Sequence, residues 1–346
     1  MGKLIEQIAG WLMGMVGGLV MAVIFLFFLV WAIFTMPDVF TEGEPVAESG
    51  WTLPTLENDL PAGRQGKLVE YGYLLVSETP QWMGPQAKSH ELRFSGNNLS
   101  CKNCHLESGT KPGSASFVGV TNRFPQFRGR EGKMGTIEDR INGCMERSMN
   151  GTALPENSTQ MKAIVAYMEW LSDGVPENIE AQYKGFTSIK IPDVKADLEI
   201  GKEIFTRECV TCHNDDGQGQ RLAGGDSLKG YLYPPLWGND TYNHGAGMNR
   251  IITAAEFIKG NMPLGVTVES PKLTDEEAFH VAAYIDSFKR PEKPNAEDDF
   301  PDKKLKPVST PYGPWEDPFP AEQHKYGPFP PIMKYYEQEY GIKKSK

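Results

Sequence analysis

The sequence predicts a mainly α-helical protein: two tandem helical units behind an N-terminal transmembrane helix, followed by an extended C-terminal tail. Three observations predict it. A long uncharged apolar run opens the chain, one order of elements (helix, CxxCH, loops, helix) occurs twice, and the last stretch is rich in proline and aromatics. At 346 residues the chain can hold two modest domains, each with its own core. Its 36 glycines and 26 prolines point to loop-rich domains rather than bundles or large sheets. A net charge of -10 argues against nucleic acid as a partner. A small anion stays possible, because it responds to a local patch rather than to the total.

The anchor comes first, over residues 1–37. No residue from Trp11 to Met36 is charged. At 1.5 Å per residue that run is about 39 Å long, enough to cross a hydrocarbon core of roughly 30 Å with some tilt. A cleavable signal has an apolar core of only about 7–15 residues and a small-residue cleavage site. Here the exit reads FTMPDVF, so the helix is expected to be retained. Lys3 precedes the span, and Asp38, Glu42, Glu44 and Glu48 follow it, which puts the remainder outside the cytoplasm. Trp11 and Trp31 suit the two interfaces. The expectation is a single-pass protein of the cytoplasmic (inner) membrane with its domains in the periplasm. Residues 38–62, rich in Pro, Gly and acid, read as a linker.

The first unit, 63–187, opens with RQGKLVEYGYLLVSET (64–79), where Leu68, Tyr71, Leu75 and Val76 take helical spacing. It passes through CKNCH (101–105) and ends in QMKAIVAYMEWLSDG (160–174). The second unit, 188–292, opens with ADLEIGKEIFTRE (196–208), passes through CVTCH (209–213) and ends in LTDEEAFHVAAYIDSFKRP (273–291). Thr274 and Glu277 form a capping box for that last helix. The repeated order reads as duplication of one domain. The tail, 293–346, shows little helical periodicity and is expected to wrap the domains as extended chain.

CxxCH is the strongest chemical signal. Two thiols three residues apart can form thioethers to the two vinyl groups of haem, and the imidazole that follows then lies under the iron. A zinc site would give no reason for a histidine to follow twice, and a thioredoxin-like dithiol belongs with a strand–helix unit that is not evident here. The units therefore read as class I cytochrome c-like domains carrying two covalently bound haem c groups. Cys101, Cys104, Cys209 and Cys212 are the anchors, and His105 and His213 the proximal iron ligands. In the second unit the loop FIKGNMPLG (257–265) offers Met262 as distal ligand, with Met248 and His244 as competitors. The Gly-rich run GQGQRLAGG (217–225) follows a haem motif rather than a strand, and reads as a haem-edge loop.

The fifth cysteine stands apart, in RINGCMERSMNG (140–151). Thr136 can cap a helix from Ile137, on which Arg140, Cys144 and Ser148 recur every four residues and share a face. Upstream, RFPQFRGREGK (123–133) adds Arg123, Arg128, Arg130 and Lys133 against only Glu131. Clustered cations lower a thiol pKa, and a thiolate is both nucleophile and metal ligand. The plain alternative is a small buried hydrophobe. Met145 and Met149 are alternative ligands, expected to point elsewhere on the helix.

At these residues the sequence resembles the dihaem thiosulfate dehydrogenases, which interconvert thiosulfate and tetrathionate. RINGCMERSMNG, YPPLWGNDTYNHGAGM (233–248), FIKGNMPLG and the tail's HKYGPF carry the resemblance, which covers roughly residues 65–330. It implies a catalytic first haem with His105 and Cys144 as its ligands, and substrate contacts from Arg130, Arg140 and Ser148. It implies a second haem that relays electrons, ligated by His213 and Met262, with Asn261 where some members carry lysine. The implied reaction joins two thiosulfates into tetrathionate with loss of two electrons to a redox partner, another cytochrome or a respiratory-chain component. The retained anchor departs from the many soluble relatives. Two other classes compete: a dihaem electron carrier without substrate, and a Sox-type cytochrome conjugating thiosulfate to a carrier protein.

Overall fold

The computed structural model describes residues 2–35, 50–222, 227–344 and 346, and divides into two compact units, Met1–Gly50 and Trp51–Lys346. The first unit is helix α1, Gly2–Thr35. Its stretch Ile8–Phe28 has a mean hydropathy of 2.3, and the large apolar side chains described there are exposed. A helix this long and apolar is suited to lipid, which removes the cost of its exposed surface. Trp11 is exposed, while the side chain of Trp31, Met36, and residues 38–49 of the expected linker lie outside the described residues. The rest of that linker is not a spacer. Trp51 donates from Nε1 to the Asp173 carbonyl at 3.1 Å, and Leu53 and Leu60 pack on the first core. Apolar side chains at those positions pull the segment onto the domain.

Within Trp51–Lys346 the helices α2 (Arg64–Ser77), α3 (Ile137–Arg147) and α4 (Thr159–Ser172) surround one hydrophobic core. Helices α5 (Leu198–Glu208), α6 (Ile251–Asn261) and α7 (Asp275–Ser287) surround another. Each core is built on a crossing of its first and last helices, and each crossing turns on a glycine. A Cβ at Gly72 of α2 would collide with the Ala163 carbonyl of α4, and one at Gly201 of α5 with the His280 carbonyl of α7. Both glycines permit the backbones to touch, so the duplication read from the motifs extends to the packing.

Three local features differ from the sequence expectation. The basic segment 123–133 forms an antiparallel hairpin of β1 (Gln126–Arg128) and β2 (Lys133–Gly135), with Gln126 opposite Gly135. The supposed loop 257–265 begins inside α6; only from Met262, its C-cap, is the chain extended. Ten of the eleven α6 residues are buried, which erased the amphipathic period that would have marked a helix. The tail is irregular from Glu292 to Pro320, apart from two short 3₁₀ turns, then carries helices α8 (Ala321–Tyr326) and α9 (Pro330–Tyr340). Proline at the start of α9, left-handed Gly341 after it, and buried Ile332 and Tyr336 one turn apart explain that helix. Val308, Phe329, Ile332 and Tyr336 belong to the second core, so the tail is part of the domain it covers.

Candidate functional site

Each CxxCH opens onto a cavity. The first, about 310 Å³, is lined by Cys101, Cys104, His105, Arg140, Cys144 and Ser148 among a mostly apolar wall. The second, about 330 Å³, is lined by Cys209, Cys212, His213 and Met262. Leu99, Cys104, Tyr242 and Met248 line both, so the two sites share a wall.

The residues fit a haem at each site. His105 Nδ1 donates to the Ala115 carbonyl at 2.7 Å, and His213 Nδ1 to the Pro234 carbonyl at 2.9 Å. A carbonyl only accepts, so the proton sits on Nδ1 and Nε2 keeps its lone pair for a metal. Burial raises the Cys101 thiol to about 11 and those of Cys104 and Cys209 to about 12. Thiols raised in this way are poor nucleophiles for disulfide exchange at neutral pH. Among the described residues, no three His, Cys, Asp or Glu side chains converge as a zinc site requires. In the loop 217–225, residues 223–225 lie outside the described residues. Gly219 N–H donates to the His213 carbonyl and Leu222 lines the cavity, in keeping with a loop at the haem edge.

Helix α3 delivers the face read from the sequence. Thr136 accepts from the Asp139 N–H at 3.3 Å while Asp139 accepts from the Thr136 N–H at 3.0 Å, a reciprocal cap that fixes where the helix begins. From that start Arg140, Cys144 and Ser148 all reach the first cavity. Arg140 Nη1 donates to Cys144 Sγ at 2.7 Å. Arg140 is an exposed residue that also lines this cavity. Burial pushes the Cys144 thiol up, but the neighbouring Arg140 charge outweighs it, bringing the thiol down to about 6. Cys144 is therefore held as a thiolate at neutral pH by its surroundings, where Cys101, Cys104 and Cys209 are not. Met145 and Met149, expected to point away, also line the cavity as buried thioethers. Met145 lies next to Cys144 in the chain, and Met149 follows the helix end, where the turn folds back.

The basic patch is more neutralised than its local sequence suggests. Arg123 pairs with Glu180 at 3.1 Å, Arg128 with Glu131 at 2.9 Å and Lys133 with Asp139 at 3.1 Å. Arg130, on the hairpin turn, donates to the Gly245 carbonyl at 2.6 Å and lies 3.5 Å from Asp299 and 5.4 Å from the Phe300 ring centre. It is not among the residues lining the first cavity. Asp299 is engaged more closely by Arg147, at 2.5 Å, and by the Tyr312 hydroxyl, at 2.7 Å. Sequence reading missed Asp299, Tyr312, Lys184 (on the first cavity wall) and Arg250. Arg250 had a signal: an arginine directly before an apolar run, IITAAEFI, whose first turn holds no acid. In the second site, Met248 lines both cavities while Met262 lines the second alone. His244 lines neither; its Nδ1 accepts from the Lys293 N–H at 2.9 Å.

Residues 91–176 match the family model described as SoxA/TsdA, cytochrome c domain, and residues 198–289 match cytochrome c. The thiosulfate dehydrogenase of Stutzerimonas stutzeri is 40% identical over 241 residues, 70% of this chain and 73% of that one. That of Allochromatium vinosum is 40% identical over 236 residues, covering 67% and 82%. Among solved structures, the thiosulfate dehydrogenase TsdBA of Marichromatium purpuratum, in its as-isolated form, matches with a TM-score of 0.63 and 32% identity. The match covers 75% of this chain and 53% of that one, so this chain spans about half of the longer protein.

Proposed function

The chain belongs to the thiosulfate dehydrogenase family, and from that premise we propose that it interconverts thiosulfate and tetrathionate with Cys144 as the sulfur-carrying residue. It is a c-type oxidoreductase with two haems. Cys101, Cys104, His105 and Cys144 would hold the first; Cys209, Cys212, His213 and Met262 would hold the other. The observation that carries the assignment is the contact of Arg140 with Cys144 inside the cavity that CKNCH opens. Burial raises the thiols of Cys101, Cys104 and Cys209, while at Cys144 the Arg140 charge overcomes burial and brings the thiol down to about 6, in line with that contact. A core thiol has no use for a guanidinium at 2.7 Å.

When bound, the haems supply one-electron acceptors that take the reaction's two electrons in turn toward a redox partner. The chain's own groups do the rest. Arg140 and Arg130 offer planar N–H forks suited to sulfonate oxygens, and Ser148 adds a hydroxyl donor. The Cys144 thiolate bonds to the sulfane sulfur of one thiosulfate, giving Cys–S–SO3⁻ extended by that sulfur, Cys–S–S–SO3⁻, with loss of two electrons. The sulfane sulfur of a second thiosulfate then attacks the bound one, forming tetrathionate and returning the Cys144 thiolate. Read backwards, the same steps reduce tetrathionate.

Incubating the purified, haem-loaded protein with thiosulfate and an artificial oxidant should yield one tetrathionate for every two thiosulfates consumed. Failure to form tetrathionate from thiosulfate, or thiosulfate from tetrathionate with a reduced dye, would overturn the reading. For location, we assign α1 as a retained single-pass anchor in the inner membrane, with the haem domains outside the cytoplasm. The full chain should then resist a high-salt wash of membranes, and a form lacking residues 1–37 behind a cleavable signal should be released. A mature N-terminus near Asp38 would refute retention.

A further inference from the structure

Resting on the thiosulfate reading above, we propose that Arg250 is a third guanidinium of the substrate site, binding a sulfonate group of thiosulfate or tetrathionate. Its surroundings are poor for a cation in the free protein. It is half-buried, and its Nε has only a long contact, 3.4 Å, to the Gly247 carbonyl. Among the described residues no carboxylate forms an ion pair with it, and the acid that bears on it, Glu256, is held by Lys346 at 2.6 Å. The other charged groups that bear on it are Arg130 and Arg140, with the Tyr312 hydroxyl beside them. It also occupies the N-cap of α6, where the positive end of the helix dipole meets another positive charge and no acid in the first turn offsets it.

Arg250 does not itself line the first cavity, but the same short segment sets it beside that cavity's wall. The Gly245 carbonyl accepts from Arg130, the Gly247 carbonyl faces Arg250, and Met248 lines the first cavity with Arg140 and Cys144. Gly247 leaves room for this: a Cβ there would stand 3.3 Å from Arg250 Nη2. Carbonyl partners orient a guanidinium without cancelling its charge. Burial first, then Arg130 and Arg140, lower the Arg250 pKa to about 10, which still leaves it charged at neutral pH. Burial, like-charged neighbours and the helix dipole all oppose the residue where it stands, and a dianion relieves each of them. The reaction needs this, because two dianions must lie side by side while Asp299 draws on Arg130 and Arg147.

The test uses the full-length, haem-loaded protein in detergent and its Arg250→Gln and Arg250→Lys variants, compared at matched haem content and melting temperature. Gln should raise the thiosulfate KM about ten- to hundredfold, the scale of a lost hydrogen bond to a charged group, with a smaller change in kcat. Lys should recover part of that loss and keep the salt dependence of KM. An unchanged KM in the Gln variant, or a loss confined to kcat, overturns the assignment. A wild type that forms no tetrathionate defeats the thiosulfate reading itself. Equilibrium dialysis with radiolabelled thiosulfate then decides the role of Arg250, and equal binding by wild type and Arg250→Gln, or binding by neither, rejects it.

Discussion

The two cavities differ by little in volume, about 310 against 330 Å³, and by much in their walls. Around the first stand Arg123, Arg140 and Lys184 with the Cys144 thiol; around the second, Met262 stands among leucines, tyrosines and prolines, with Lys102 and Glu208 at its charged margin. The CxxCH sides are alike, each with a histidine whose Nδ1 is tied to a backbone carbonyl. A duplicated domain has kept the part that holds a haem and diverged in the part that faces it. A thiolate beside guanidiniums suits anionic sulfur chemistry; a neutral thioether in an apolar wall suits a relay of high potential.

Removing the thiol from one side of this contrast should have the largest effect. Cys144→Ala is expected to keep both haems, because the thioethers belong to the other four cysteines, and to cut turnover by at least about a thousandfold, as loss of a nucleophile does. Tetrathionate formation at fixed haem content measures it. Near-normal activity would make Cys144 a packing residue and erase the difference between the cavities. Arg140→Lys is gentler. It keeps the charge beside Cys144 and loses the planar fork, so thiosulfate kcat/KM should fall by about 1–3 kcal/mol in transition-state terms. A loss as large as that of Cys144→Ala would mean that Arg140 serves mainly to hold the thiolate rather than the substrate.

The relay side should answer differently. Met262→Gly is expected to abolish the weak long-wavelength absorption of a ferric iron–thioether bond and to slow turnover by about tenfold, since a distal thioether sets the potential of the electron exit. Thiosulfate binding at the first cavity should persist in the same preparation. Survival of the band would pass the ligand role to Met248, which lines both cavities, and the two sites would then share a ligand-bearing wall.

What the sequence disclosed and what it hid follow the same division. The CxxCH motifs, the capped start of α3 and the spacing of Arg140, Cys144 and Ser148 are local, and periodicity places those three side chains on the wall of one cavity. Helix α6 was hidden because it is buried all round, and a helix without a polar face has no period to read. The partners of the basic segment were hidden for another reason. Glu180 and Asp299 are distant in sequence from the arginines they meet, so a patch that is bare in the linear chain is largely paired in the fold. The tail misled by composition: its prolines suggest extended chain, yet a proline pair at the first turn is also how α9 begins.

The smallest expected effect sharpens the contrast most finely, because the two halves carry the same device. Thr136 and Asp139 cap α3, and Thr274 and Glu277 cap α7, each by reciprocal side-chain bonds. Each acid is also held by a cation, Lys133 at 3.1 Å and Arg207 at 2.9 Å. Thr136→Ala and Thr274→Ala should each cost about 1 kcal/mol, the usual loss for an N-cap. In a domain of this size that corresponds to a fall in Tm of about 2–4 °C by calorimetry. Their functional consequences should part. Helix α7 contributes core, so Thr274→Ala should leave the thiosulfate KM where it was. Helix α3 carries Arg140 in its first turn and Cys144 one turn further on, so fraying its start loosens the guanidinium that meets the thiol, and Thr136→Ala should raise KM severalfold at the same loss of Tm. Equal KM values for the two variants would show that the α3 face is held by the surrounding wall and not by its cap.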